Sequence, residues 1–123
     1  MKKLLLVDDD AFLRDMYAHK FNESGYAVET ADSAVAALTK IKKDQTYDLI
    51  LTDMIMPGMT GVELIKEIRD KYPGMDTKYV VLSNNGNDDD IKAAKEIGVD
   101  DYIIKAESIP SDVVKKINKL CEK

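Results

Sequence analysis

Apolar and polar positions follow one another along this chain in blocks of two kinds. Leu4 to Val7, Leu49 to Leu51 and Tyr79 to Leu82 are continuous apolar runs, the pattern of strands buried on both faces. Tyr26, Val28 and Thr30 alternate with Ala27 and Glu29, and Tyr102 to Ile104 is short and flanked by charge. Both segments suit outer strands. Between the runs the spacing turns helical. Phe12, Leu13, Met16 and Tyr17 begin a first apolar stripe, and Ala34, Ala37, Leu38 and Ile41 mark a second. Gly61, Leu64, Ile65 and Ile68 mark the third, Ile91, Ala94 and Ile97 the fourth, and Val113 to Leu120 the last. Breakers fall where helices should stop: Gly25, Tyr72-Pro73-Gly74 and Gly98. The resulting order, βαβαβαβαβα, predicts an α/β domain with a parallel sheet, helices on both faces and right-handed crossovers. Alternation alone leaves the strand order open.

Composition narrows the class. The 123 residues are 45% hydrophobic and 33% charged, the mix expected of one soluble domain, residues 1–123, with its own core. No output domain is visible in the sequence. The net charge of −5, with no run of lysine or arginine longer than a pair, argues against direct binding to nucleic acid. Cys121 is the single cysteine, which excludes an internal disulfide and fits a reducing, cytoplasmic setting. Its spacing from Val113, Val114, Ile117 and Leu120 places it on the core face of the last helix. Met-Lys-Lys-Leu-Leu-Leu-Val imitates a signal peptide, but the apolar run stops after four residues at three aspartates. No segment is long enough to span a membrane.

Functional residues of such sheets gather beyond the carboxyl ends of the strands. Those ends carry Asp8 and Asp9 after the first run, Asp53 after the third, Ser83 after the fourth and Lys105 after the fifth. Each alone reads as a helix cap or a solvated charge. Together they describe a site. Converging carboxylates repel unless a hard cation sits among them, and oxygen ligands in a partly hydrated place suit Mg²⁺. An ammonium and a hydroxyl then answer the remaining oxygens of a phosphoryl group, and one carboxylate can act as nucleophile toward it. Asp10 reads as the cap of the first helix, pointing away from the others.

Val7-Asp8-Asp9, the stretch Leu51-Thr52-Asp53-Met54-Ile55-Met56-Pro57-Gly58-Met59-Thr60-Gly61, Val80-Val81-Leu82-Ser83 and Tyr102-Ile103-Ile104-Lys105 together resemble the receiver domain of two-component response regulators. The resemblance covers nearly the whole chain. It implies a flavodoxin-like, doubly wound (βα)5 fold with a five-stranded parallel sheet of order 2-1-3-4-5. It implies a signalling switch in which Asp53 is the phosphoacceptor, served by a sensor histidine kinase or a histidine phosphotransfer protein. Asp9 would ligate Mg²⁺ directly, Asp8 mostly through water, and Asp53 and the carbonyl of Ile55 would complete the protein's ligands. Ser83 and Lys105 would bind phosphoryl oxygens, with Asn84 beside them, and Lys105 would pair with Asp53 before phosphorylation. Ser83 and Tyr102 would form the switch, Tyr102 turning inward as Ser83 moves toward the phosphoryl group. The face of fourth helix, fifth strand and fifth helix would then change its affinity for a protein target, an output domain or a second copy of the chain. The domain would catalyse its own phosphorylation and slow dephosphorylation without turning over a separate substrate.

Some positions depart from the family pattern or carry weaker signals. Ala106 follows the lysine where the family has proline, so a trans Lys105-Ala106 bond is expected. Asn84 replaces a small residue and could crowd a phosphodonor, while Asn85-Gly86 reads as turn chemistry. Ile55 is apolar where a polar side chain would help position water, which predicts slow self-dephosphorylation. Met54, Met56, Met59 and Met75 read as packing residues. His19, the only histidine, reads as an edge-of-core residue. Asp88-Asp89-Asp90 should cap and open the fourth helix, where carboxylates favour the helix dipole.

Three rival functions can be weighed against this one. A haloacid-dehalogenase-like phosphatase would use Asp8-x-Asp10, but it needs a further acidic motif after its lysine and leaves Asp53 idle. A flavin or nucleotide module would need glycines or hydroxyls in the first loop, where this chain offers carboxylates. A phosphorylation-independent interaction module would not need Asp53 and Lys105, and both are present.

Overall fold

A computed structural model describes residues 1–84 and 86–121. Its elements run β1 (Lys3–Val7), α1 (Ala11–Glu23), β2 (Ala27–Ala31), α2 (Ala34–Lys43), β3 (Leu49–Thr52), α3 (Gly61–Lys71), β4 (Lys78–Ser83), α4 (Asp88–Glu96), β5 (Asp101–Ile104) and α5 (Pro110–Cys121), with one 3₁₀ turn, Lys105–Glu107, before α5. The five strands form one parallel sheet in the order β2-β1-β3-β4-β5. β2 and β5 are therefore the edges, as their weaker apolar patterns predict.

Successive strand residues point to opposite faces, so each apolar run feeds two cores. Leu5, Val7, Ile50, Tyr79 and Val81 pack with α2, α3 and Ala94 of α4 on one side. Leu4, Leu6, Leu49, Leu51, Val80, Leu82 and Ile103 pack with Tyr17 and Phe21 of α1 and Val113, Val114 and Ile117 of α5 on the other. Met54 and Met56 are buried in the first core, with Met59 and Met75 packed against it, so the methionines fill space as expected. Cys121 packs against the second core.

Local chemistry sets the helix limits. Asp10 accepts from the Leu13 amide at 3.0 Å and caps α1. Thr60 and Glu63 form a reciprocal capping box on α3. Asp88, Asp89 and Asp90 open α4, but its cap is Asn87, whose side chain accepts from the amides of Asp89 and Asp90. Gly25 and Gly98 end α1 and α4 with positive φ, 93° and 75°. Arg69 of α3 lies over the Tyr79 ring at 4.8 Å and donates to the carbonyls of Ile97 and Gly98, so it ties the end of α4 to the sheet.

Two sequence expectations need correction. Phe12 does not join the first stripe: it is 76% exposed, and the buried line of α1 runs Leu13, Met16, Tyr17 and Phe21. His19 is not at the core edge. Its side chain is 74% exposed and sits 3.5 Å from Glu23 one turn on, two residues or about 200° around the helix from both Tyr17 and Phe21. The expected turn at Asn85 lies outside the described residues.

Candidate functional site

The sheet delivers the acidic residues to one place. Asp8 continues β1 by one step, its amide donating to the Ala31 carbonyl at 3.1 Å. Asp53 does the same for β3, its amide donating to the Val7 carbonyl at 2.9 Å. Because β1 and β3 are neighbours in register, Val7 against Thr52, the two carboxylates emerge side by side. Asp9 joins them from the loop into α1. One carboxylate oxygen from each of Asp8, Asp9 and Asp53 lies within 4.8 Å of the others. Asp8 is 1% exposed and Asp53 6%, whereas Asp9 faces solvent. The side chain of Asp10 is engaged at the cap instead, which leaves no Asp8-x-Asp10 pair for the phosphatase reading.

Lys105, on the turn after β5, reaches across to this cluster. Its ammonium donates to Asp8 Oδ2 at 2.9 Å and lies 3.6 Å from Asp53 Oδ2. The expected pairing with Asp53 is thus the longer of two, and the hydrogen bond belongs to Asp8. No cis peptide occurs among the described residues, so Lys105-Ala106 is trans, as the alanine requires. Asp53 Oδ1 accepts from the Met54 amide at 2.8 Å. Burial pushes the Asp53 carboxyl up to about 6; Lys105 and the Met54 amide oppose this, and the charges of Asp8 and Asp9 add to it. Three carboxylates face one ammonium, and every remaining donor is an oxygen open to water through Asp9. That donor set fits a hard divalent cation such as Mg²⁺.

Ser83 ends β4, buried and opposite Ile104 of β5, and Asn84 is exposed just beyond it. Ile55 is also exposed. Tyr102 departs from a solvated edge tyrosine: its hydroxyl is buried and has no hydrogen-bond partner among the described residues. Burial raises the phenol's pKa, the nearby Ser83 hydroxyl, although outside hydrogen-bonding geometry, pulls the other way, and the charges of Asp90 and Asp53 add to the rise. A buried, unsatisfied hydroxyl costs about 1–3 kcal/mol. Tyr102→Phe is accordingly expected to unfold at equal or higher urea concentration, with a gain of about 1 kcal/mol. A clear loss would mean that the hydroxyl has a partner.

Two residues near the site are not among the site residues read from the sequence, Tyr17 being placed there only in the apolar stripe of the first helix. Tyr17 is buried in α1; burial lifts its phenol, and it feels the charges of Lys105 and Asp8. Arg14 donates through Nη1 to the Asp8 carbonyl at 3.0 Å. A signal for Arg14 did exist, because a cation in the opening turns of a helix works against the dipole.

The profile of the response regulator receiver domain matches residues 4–118. The chain belongs to that family. This receiver domain is 35% identical over 118 residues to the transcriptional regulatory protein ResD of Bacillus subtilis, a match covering 96% of this chain and 47% of ResD. It spans about half the length of most of the curated relatives that it matches. Among solved structures it resembles the chemotaxis protein CheY4 of Vibrio cholerae, with a TM-score of 0.88, 31% identity and 98% of each chain covered. It also resembles the response regulator TrrA of Thermotoga maritima, solved in complex with Mg²⁺-BeF, with a TM-score of 0.82, 33% identity, and 98% of this chain and 99% of that one covered. The receiver domain is thus a module of two-component signalling. Phosphorylation and Mg²⁺ are characteristic of the family, whose members interact with histidine kinases and output domains. No described helix is long and apolar enough to cross a membrane.

Proposed function

We propose that Asp53 accepts a phosphoryl group from a phosphohistidine on a sensor kinase or a histidine phosphotransfer protein, in the cytoplasm, and that the change is read by a protein at the face of α4, β5 and α5. The observation that carries this reading is the meeting of Asp8, Asp9 and Asp53 within 4.8 Å, with the Lys105 ammonium 2.9 and 3.6 Å from two of them.

Above about pH 6 the Asp53 carboxylate is ionised, so it needs no base to become a nucleophile. Its oxygen forms the new P–O bond as the P–N bond breaks, and the bonding electron pair stays on the departing imidazole nitrogen. Asp8, Asp9, Asp53 and the Ile55 carbonyl would hold Mg²⁺, which supplies positive charge for the phosphoryl oxygens. Lys105 transfers its ammonium from Asp8 and Asp53 to a phosphoryl oxygen, and Ser83 donates its hydroxyl to another. Asn84 borders the approach. With Ser83 drawn to the phosphoryl group, the space beside Tyr102 changes, and β5 carries that change to the outer face. The exposed Ile55 offers no polar group to orient a hydrolytic water, in keeping with slow loss of the phosphoryl group.

A protein donor suits the surroundings. Phe12 at the start of α1, Ile55 after Asp53 and Ile109 before α5 are exposed apolar side chains on the segments that frame the carboxylates. The reader of the outer face is an output domain, a separate target or a second copy of the chain.

Incubation with acetyl phosphate and Mg²⁺, followed by intact mass measurement, tests the reading. Wild type should gain one phosphoryl group and Asp53→Asn none. No adduct on wild type would leave an interaction module that works without phosphorylation. An undiminished adduct on Asp53→Asn would move the acceptor elsewhere.

A further inference from the structure

We infer that Arg14 is a positioning residue for the cation site: by holding the Asp8 carbonyl it sets the peptide plane from which the Asp9 carboxylate projects. The inference rests on the proposed reading of Asp8, Asp9 and Asp53 as the Mg²⁺ site.

Asp8 is held at every polar handle. Its amide donates to Ala31, its Oδ1 accepts from the Asp10 amide at 2.9 Å, and its Oδ2 accepts from Lys105. Asp9 is different. It is exposed, and its side chain makes no hydrogen bond or ion pair among the described residues, yet its oxygen stands within 4.8 Å of two other carboxylates. Repulsion would turn an unanchored carboxylate out into water. Its direction must therefore come from the backbone on either side. On one side Asp10 is fixed as the cap of α1. On the other, the Asp8-Asp9 peptide is fixed through its carbonyl by Arg14.

The placement of Arg14 does not serve charge pairing. It is the fourth residue of α1, where the helix dipole disfavours a cation. Three aspartates precede it, but it forms no ion pair with any carboxylate among the described residues. The guanidinium is spent on a neutral carbonyl.

Charge and position predict opposite signs. As a bare positive charge, Arg14 would repel Mg²⁺, and removing it would tighten binding. As a positioning residue, its removal frees the Asp8-Asp9 peptide and weakens binding by about 10-fold, the lower end of what losing an outer-shell partner does to metal affinity.

Calorimetric titration of Mg²⁺ into wild type, Arg14→Ala and Arg14→Lys decides the matter, at one ionic strength and well below each metal-free melting temperature. Arg14→Ala should bind about 10-fold more weakly than wild type. Arg14→Lys keeps the charge but loses the planar fork, so it should fall between the two, and it carries the test alone if alanine does not fold. Unchanged or tighter binding by alanine, or lysine equal to wild type, overturns the inference and leaves the proposed site standing. Failure of wild type to bind Mg²⁺ overturns both.

Discussion

Without divalent cation at pH 7, Asp53→Asn is expected to be more stable than wild type, by up to about 3 kcal/mol. The reason is the environment of the carboxyl. Burial and the neighbouring Asp8 and Asp9 raise its pKa from 3.8 to about 6, against the pull of Lys105. The folded state therefore holds the Asp53 proton more tightly than the unfolded state does. Stability falls as pH rises between about 4 and 6, and the deficit is complete above the folded pKa. Asparagine has the same shape and no charge to desolvate, and Lys105 keeps its hydrogen bond to Asp8.

Urea denaturation of both proteins in chelator, from pH 4 to pH 7.5, gives the check. The difference should be small at pH 4, where the carboxyl is protonated in the folded state and only just past half ionised in the unfolded one, and should grow through pH 6. Subtracting the two curves also removes the opposite trend from Asp44, whose pKa is lowered to about 2 chiefly by its pairing with Lys3; that stability is present above about pH 4 and lost toward pH 2. Added Mg²⁺ should reverse the order. Ligand bound only by the folded state stabilises it by about 4.1 kcal/mol at a thousand times its dissociation constant, which exceeds the deficit, and Asp53→Asn lacks one of the ligands. A variant less stable than wild type at pH 7 in chelator would show that Asp53 is not strained.

The same crowding explains what could be read from the residues alone. β1, β3 and β4 are legible because both of their faces are buried, so no alternation is needed to see them. The acidic site is legible because strand ends in such a sheet converge, whatever the strand order; the order itself came from the family resemblance. Finer placements depend on contacts that sequence does not encode locally. Phe12, Leu13, Met16 and Tyr17 fit more than one helical stripe, and docking against α5 and the sheet selects the one that leaves Phe12 outside. Lys105 could have paired with either neighbouring strand end. In the fold its ammonium donates to Asp8 at 2.9 Å and stands 3.6 Å from Asp53. The hydroxyl of Tyr102 is buried by packing around a strand whose own pattern marks only an edge.

Gly61 is the position where a recognised pattern acquires its physical cause, and Gly61→Ala is expected to destabilise the domain by about 3 kcal/mol. Its place at the end of Asp-x-x-Met-Pro-x-x-x-Gly is part of the resemblance, and by spacing it joins the core stripe of α3. Neither observation says why a larger residue is excluded. A β-carbon at this position would lie 2.3 Å from the Asp53 carbonyl oxygen and 3.1 Å from Cγ2 of Thr52. Neither side yields easily. The Asp53 backbone is bound to β1 through the Val7 carbonyl, and the Gly61 amide donates to the Met54 carbonyl at 2.8 Å, so the start of α3 is tied to the acceptor's own loop. Alanine's better helix propensity returns at most about 1 kcal/mol. For a domain of this size the loss corresponds to a fall of about 10 °C in melting temperature. Because the clash is with the backbone of Asp53 itself, adduct formation from acetyl phosphate should slow in the folded variant as well. Serine should be worse than alanine, and a melting temperature within a degree of wild type would show that α3 can retreat without disturbing the acceptor.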